Sequence, residues 1–125
     1  MTTKRNAETD LCNAVRVIFE TGGTCRLWRN NNGAVRAHGR MIRYGLTPGS
    51  ADLLGLARGG RFVSVEVKTP GGRTSKEREL LQDEWAYTVR TLGGYACQVS
   101  SVDEARAAKA LLLSDPLIGV NAEEV

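Results

Sequence analysis

This chain is predicted to fold as one α/β domain, a mixed sheet flanked by helices, and three observations predict it. Helical and strand-like patterns follow one another in the order α, β, β, β, β, α, β, α. Two Ser/Thr-x-x-Glu capping boxes, Thr74 with Glu77 and Ser101 with Glu104, open helices in the second half. Residues 61–69 alternate valine with polar side chains, the period of a half-buried strand. A length of 125 residues suits one domain, which buries roughly 65–70% of its unfolded surface. The domain is expected to span 1–125, with a loosely held tail over about 115–125.

Residues 7–21 place Leu11, Ala14, Val15, Ile18 and Phe19 on one helical stripe, and Gly22-Gly23 stops it. Residues 24–29 set Cys25 and Leu27 against Arg26 and Trp28, the alternation of a strand. Asn30-Asn31-Asn32-Gly33 is a turn signal. Over 34–50 arginine and glycine dominate, and only a short strand near 40–44 emerges before a loop through Pro48-Gly49. Residues 52–57 and 61–69 read as a hairpin around Arg58-Gly59-Gly60. Pro70-Gly71-Gly72 marks a loop. The helix opened at Thr74 carries Leu81, Trp85, Val89 and Leu92 on one face and ends at Gly93-Gly94. Residues 95–99 form a short buried strand, and an Ala- and Leu-rich helix runs from Ser101 to about Leu113, with Pro116 as its stop.

Composition narrows the function classes. With 42% apolar residues, 25% charged residues and a net charge of +3, the chain is not of the disordered type. No run approaches the roughly 18–20 apolar residues of a membrane span. Residues 1–6 lead into a polar stretch without a secretory hydrophobic region. Cys12, Cys25 and Cys97 are odd in number and far apart, which suits neither a disulfide framework nor a CxxC metal site and fits a reducing cytosol. The lone histidine, His38, lies in a polar stretch and reads as a surface or loop residue. Ser-His-Asp, Cys-His and multi-histidine zinc chemistry are therefore disfavoured. Carboxylates, lysine and a hard metal are left as the tools of an enzyme.

The segment Arg61-Phe62-Val63-Ser64-Val65-Glu66-Val67-Lys68-Thr69 carries the informative pattern. Alternation sends Val63, Val65 and Val67 into a core and Ser64, Glu66 and Lys68 to the other face. If the preceding hairpin closes with the three-residue loop 58–60, Ala57 pairs with Arg61, and Asp52 then lies opposite Glu66. Directly opposed Cβ atoms are about 4.5–5.5 Å apart. Two carboxylates that close repel unless a cation or a proton sits between them. A two-residue loop would instead send Asp52 to the opposite face. An ordinary solvated strand face would also display Glu66 and Lys68. Paired with Asp52, however, they form an oxygen donor set suited to Mg²⁺ or Mn²⁺, with a lysine beside it. Such a set can hydrolyse a phosphodiester without histidine.

Arg26, Arg29, Arg36, Arg40 and Arg43 fall within 18 residues with no acid between them. The planar guanidinium fork suits phosphate, although such a run can also simply solubilise a loop. A pI of 9.0 is compatible with a polyanionic partner. Trp85 shares the apolar helix stripe and reads as core, whereas Trp28 reads equally well as core or as a base-stacking platform.

Asp52 followed by Glu66-Val67-Lys68 resembles the PD-(D/E)xK nuclease signature. The surroundings are similar to the VRR-NUC family, especially its small stand-alone phage and bacterial members. They comprise Trp28-Arg29-Asn30, Gly33, Gly39-Arg40, Gly45, Gly49-Ser50-Ala51-Asp52-Leu53-Leu54-Gly55, Glu66-Val67-Lys68-Thr69-Pro70, Gly72-Arg73, Ser75, Gln82, Gly93-Gly94 and Ser101-Val102-Asp103-Glu104-Ala105. The resemblance covers roughly residues 8–106. Two departures stand out. Ala51, not proline, precedes Asp52, and the Ser75-to-Gln82 spacing is about one helical turn longer than usual.

The resemblance implies a restriction-endonuclease-like fold and Mg²⁺- or Mn²⁺-dependent hydrolysis of DNA. The implied cutting is structure-selective, on branched DNA such as four-way junctions or flaps, by a homodimer in the cytoplasm of a bacterium or phage-infected host. It implies catalytic roles for Asp52, Glu66, Lys68 and Gln82, with Asp52, Glu66 and the backbone carbonyl of Val67 as metal ligands. A carboxylate of the first helix also commonly faces such a site. Glu8 matches best, because it shares a stripe with Leu11, Val15 and Ile18, with Asp10 and Glu20 as alternatives. Arg29, Asn30, Arg36, Arg40, Arg43 and Arg73 are the expected nucleic-acid contacts. The alternative is a DNA-binding protein of this fold that cuts poorly without a partner. A third reading is a polyanion-binding domain whose charged hairpin is mere surface.

Overall fold

The computed structural model describes residues 4–115. The expected loose tail and the stop at Pro116 lie outside the described residues, apart from Asp115. Nine elements follow in order: α1 (Lys4–Glu20), β1 (Cys25–Arg29), β2 (Gly33–Ala37), β3 (Arg40–Tyr44), β4 (Leu53–Ala57), β5 (Arg61–Val67), α2 (Lys76–Thr91), β6 (Tyr95–Val99) and α3 (Val102–Ser114). A four-stranded sheet runs β1-β4-β5-β6, and β2-β3 forms a separate two-stranded ribbon. The β1-β4 and β4-β5 pairs are antiparallel and β5-β6 is parallel, so the sheet is mixed, as expected. Among the described residues, no helix is long and apolar enough to cross a membrane.

The core lies on one face of the sheet. Leu27, Leu53, Val63, Val65, Val67 and Val99 meet Cys12, Val15 and Phe19 of α1 and Ala105, Ala108 and Leu112 of α3. Alternation along β5 therefore sorts its side chains as predicted, with valines inward. The small alanines of α3 let that helix lie close to the sheet, so the Ala-rich segment is core packing. Lys109 Nζ ties α3 to the C-terminus of α1, donating to Ile18 O at 2.9 Å and to Thr21 O.

Helix α2 covers part of the opposite face. Trp85 Nε1 donates to the buried Ser64 Oγ at 2.8 Å, and the Trp85 ring meets Phe62 edge-on at 6.4 Å. Trp85 is half-buried on the far side of the sheet rather than part of the main core. Leu92, expected on the apolar stripe of α2, is 82% exposed because the helix has reached its C-cap there. The N-cap is Ser75, not Thr74: the Ser75 hydroxyl accepts the Arg78 N–H at 3.1 Å. The Ser101 cap of α3 is as predicted, accepting from Glu104 N at 3.1 Å.

Strand β2 was not expected. Its residues are all exposed except the half-buried Ala37, so no inward-facing period marks it. The connection is a two-residue turn in which His38 and Gly39 both have positive φ, 52° and 72°, the requirement of a type I′ hairpin turn. His38 is exposed in that turn, as predicted.

Candidate active site

The β4-β5 hairpin closes with the three-residue loop, and its register pairs Ala57 with Arg61 and Leu53 with Val65. One step further along, Asp52 and Glu66 come together on the face that α2 covers. Asp52 Oδ2 accepts the main-chain N–H of Val67 at 2.9 Å, and the Glu66 carboxyl is hydrogen-bonded to Asp52. Burial, that hydrogen bond and the Asp52 charge together push the Glu66 carboxyl up to about 9, while Lys68 and Arg78 pull it down. The upward direction is what two carboxylates brought together produce when no counter-charge lies between them.

Lys68 follows β5 and remains tied to the sheet through its N–H, which donates to Val99 O at 2.9 Å. Its ammonium donates to Gln82 Oε1 at 2.8 Å and to Thr74 Oγ1 at 3.1 Å. Thr74, the expected helix cap, is thereby a partner of the lysine, which explains why the cap moves on to Ser75. Gln82 reaches the site despite its longer spacing from Ser75. It lies three residues before Trp85 on the same helix face, and the Trp85-Ser64 bond seats that face on β5.

These residues line a cleft of about 160 Å³ together with Glu8, Thr69, Gly72, Arg73 and Arg78. Of the three first-helix carboxylates, Glu8 is the one at the cleft. Glu20 accepts the Leu27 N–H at 3.0 Å and pairs with Arg26 at 3.4 Å, and Asp10 is exposed on α1 away from the cleft. Glu8 therefore shares the cleft lining with the Asp52-Glu66 pair. Val67 has its side chain in the core, so what it presents to the cleft is main chain. Two adjacent carboxylates with the main chain of Val67 beside them fit a hard divalent cation.

The expected nucleic-acid contacts divide into two groups. Arg73 lines the cleft itself. Arg36, Arg40 and Arg43 stand exposed on the β2-β3 ribbon, and Arg29 is exposed at the end of β1. Asn30 has a scaffolding role: its Nδ2 donates to Ser50 Oγ and to Ala51 O, both at 2.8 Å, and its N–H donates to Asp52 O at 2.8 Å. Those bonds hold the segment that delivers Asp52. Trp28 is 49% exposed, with the Arg26 guanidinium 5.7 Å from its ring centroid. The cysteines are free thiols, and burial pushes Cys12 and Cys25 up to about 11 and Cys97 up to about 12, which leaves them protonated and unreactive.

Two residues of the site escaped the sequence reading. Thr74 was assigned to the helix cap. Arg78 went unmarked, although it lies four residues before Gln82 and so shares its helix face. It lines the cleft and lowers the Glu66 carboxyl by its charge. Compared with known proteins, the chain matches no family model and no curated protein.

Proposed function

We propose that this protein is a Mg²⁺- or Mn²⁺-dependent deoxyribonuclease of the PD-(D/E)xK type. In this reading it is a stand-alone VRR-NUC-like domain of restriction-endonuclease-like fold, acting as a homodimer on branched DNA such as flaps or four-way junctions. The observation that carries the reading is the meeting of three groups in one cleft: the Asp52-Glu66 pair, Lys68, and the Gln82 that holds Lys68.

Asp52, Glu66 and the Val67 carbonyl are the groups that would hold the cation. Bound there, a divalent ion supplies Lewis acidity toward phosphate oxygen and acidifies water. Lys68 carries a fixed positive charge at the edge of the pair, where it can orient the attacking water or neutralise charge as it develops on the phosphate. Gln82 and Thr74 fix the direction of that ammonium and act through it as positioning residues. Arg73 and Arg78 put further cationic donors on the rim, where the phosphates flanking the cut would lie.

A DNA-binding domain that cuts only with a partner is the second reading. It draws on the exposed ribbon arginines Arg36, Arg40 and Arg43, which offer a DNA backbone a cationic surface separate from the cleft. One experiment separates the two. Purified protein is incubated with flap, four-way-junction, single-strand and duplex DNA, with Mg²⁺, Mn²⁺ or chelator. Metal-dependent cleavage that Asp52→Asn and Glu66→Gln abolish supports the nuclease. Binding without cleavage at any metal concentration supports the second reading.

A further inference from the structure

A second cavity of about 350 Å³ opens beside the cleft, between the base of the β2-β3 ribbon and the first turns of α2. Arg78 and Gln82 line both, so the two adjoin across these side chains. Its apolar wall is Tyr44, Leu46, Pro48 and Leu81, and Asn32, Arg43 and Glu77 supply polar groups. The volume is at the small end of the range of about 300–1,000 Å³ typical of ligand sites. That is room for a flat heterocycle rather than a protein segment.

The walls of this cavity are built by close approaches. A Cβ on Gly33 would lie 2.8 Å from the Tyr44 hydroxyl and 3.1 Å from its ring carbon, so the absence of a side chain there gives the Tyr44 ring its place across the strand pair. Gly49, at φ +93°, lies so close to α2 that a Cβ would be 2.5 Å from Leu81 O. Asn32 Nδ2 donates to Ser50 Oγ at 2.6 Å and Asn30 Nδ2 to the same oxygen at 2.8 Å, which anchors the loop between β3 and β4. Tyr44 nevertheless remains 52% exposed, a ring set in position at the mouth of a groove with little packed on it.

We propose that this cavity receives one unpaired nucleobase of the strand being cut, stacked on Tyr44, next to the phosphate held at Lys68. The proposal rests on the nuclease reading and names the feature of the substrate that the site selects. The phosphate at the cleft and the base in the cavity belong to neighbouring positions of one strand, bridged at Arg78 and Gln82. Arg43 and Arg78 both line the cavity and match the charge of a phosphate-linked strand. Arg43 and Glu77 offer a donor and an acceptor to a base edge. A base paired in a duplex cannot enter, so a nucleotide already unpaired at a branch or flap is preferred, because its unstacking cost is least. Selectivity for branched DNA then arises within one protomer.

The test uses the full chain and a fluorescently labelled flap oligonucleotide with several unpaired nucleotides at the branch. Affinity is titrated in chelator, and each unpaired nucleotide is replaced in turn by an abasic one, which leaves the protein untouched. One position is expected to weaken binding roughly 5- to 100-fold, the span of base–aromatic stacking. Tyr44→Ala is expected to bind the intact flap as weakly as wild type binds that abasic flap, with no further loss when the two changes are combined. Tyr87→Ala, at a 70% exposed tyrosine outside the cavity, serves as the control and leaves affinity unchanged. The proposal is overturned if no abasic position costs more than about twofold, or if the abasic loss persists in full in Tyr44→Ala. The same oligonucleotides are then incubated with Mg²⁺ and Mn²⁺. Cleavage without a position-specific abasic effect keeps the nuclease reading and rejects the base pocket. A position-specific effect without cleavage keeps the pocket and rejects the nuclease.

Discussion

Lys68 and Gln82 meet where the end of β5 passes under α2, the lysine Nζ donating to Gln82 Oε1 at 2.8 Å. A free lysine side chain samples many rotamers and directs its charge nowhere in particular. Here the ammonium has two acceptors, Gln82 and, at 3.1 Å, Thr74, in the cleft that Asp52 and Glu66 also line. The direction is imposed by a chain of contacts beginning at Ser64, whose bond to Trp85 sets the height of α2 above the sheet.

Lys68→Ala removes the donor and leaves both carboxylates and the ribbon arginines in place. Under the proposed function, single-turnover cleavage falls by about 10²–10³, the usual consequence of losing one preorganised donor. DNA affinity changes little, because one lysine is a small part of the phosphate contacts. Gln82→Ala frees the ammonium without removing it, so its rate loss is smaller, about tenfold, and Gln82→Glu restores part of it by offering an acceptor again. A folded Lys68→Ala protein that cleaves at the wild-type rate would remove the lysine from the mechanism.

Trp85→Phe keeps the ring but leaves the Ser64 hydroxyl, 1% exposed, without its donor. A buried polar group left unsatisfied costs about 1–3 kcal/mol. Urea unfolding is expected to show that loss. Ser64→Ala combined with Trp85→Phe should be less destabilising than the sum of the single changes, because neither polar partner then remains. Additive effects would mean that the Trp85-Ser64 bond does not hold α2 on the sheet.

The hairpin register and the sharing of one face by Asp52, Glu66 and Lys68 were legible in the sequence, because a period of two and a three-residue glycine loop leave few alternatives. The ribbon was half legible. Strand β3 carries Met41, Ile42 and Tyr44, but Gly33-Ala34-Val35-Arg36-Ala37 has one strong strand former and no buried face to impose alternation. The His38-Gly39 turn was the available signal, and it was hidden because histidine is an unusual first residue of a type I′ turn. The Thr74 role could not be read locally. Thr74 and Ser75 both look like caps, and what decides between them is a lysine six residues upstream whose ammonium needs an acceptor. The apolar stripe of α2 misplaced Leu92 for a similar reason, since periodicity continues past the point where Gly93, at φ 96°, turns the chain.

The ribbon residues Arg36, Arg40 and Arg43 are exposed and far from any acid in sequence, the nearest being Glu20 and Asp52. Replacing all three by alanine removes up to three phosphate contacts. The log–log dependence of DNA affinity on salt should then flatten by about 2–3. Because these side chains already face solvent, thermal stability should remain near wild type. An unchanged affinity and slope would show that the ribbon does not touch DNA.

The Asp52-Glu66 pair gives the protein a pH dependence whose sign is set. Glu66 is pushed up to about 9 in the folded state, by burial first and then by the Asp52 hydrogen bond and charge, against 4.5 for a free glutamate. Below about 4.5 both folded and unfolded chains carry the proton, and this group contributes its full stability. Between 4.5 and 9 the unfolded chain has released the proton while the folded chain retains it. The folded state then binds more protons, and linkage makes stability fall as pH rises through that window. Glu66→Gln cannot ionise. In chelator it should therefore melt higher than wild type at pH 8, with the gap closing toward pH 4.5. Each kcal/mol corresponds to roughly 3–5 °C in a domain of this size. A divalent cation that replaces the shared proton should reverse the ranking. With Mg²⁺ or Mn²⁺ the wild type gains melting temperature, more at pH 8 than at pH 6, while Glu66→Gln gains little. Calorimetric titration of Mn²⁺ in two buffers of different ionisation enthalpy would register the released proton directly. Binding with no proton release at pH 7 would mean that the cation does not sit between Asp52 and Glu66.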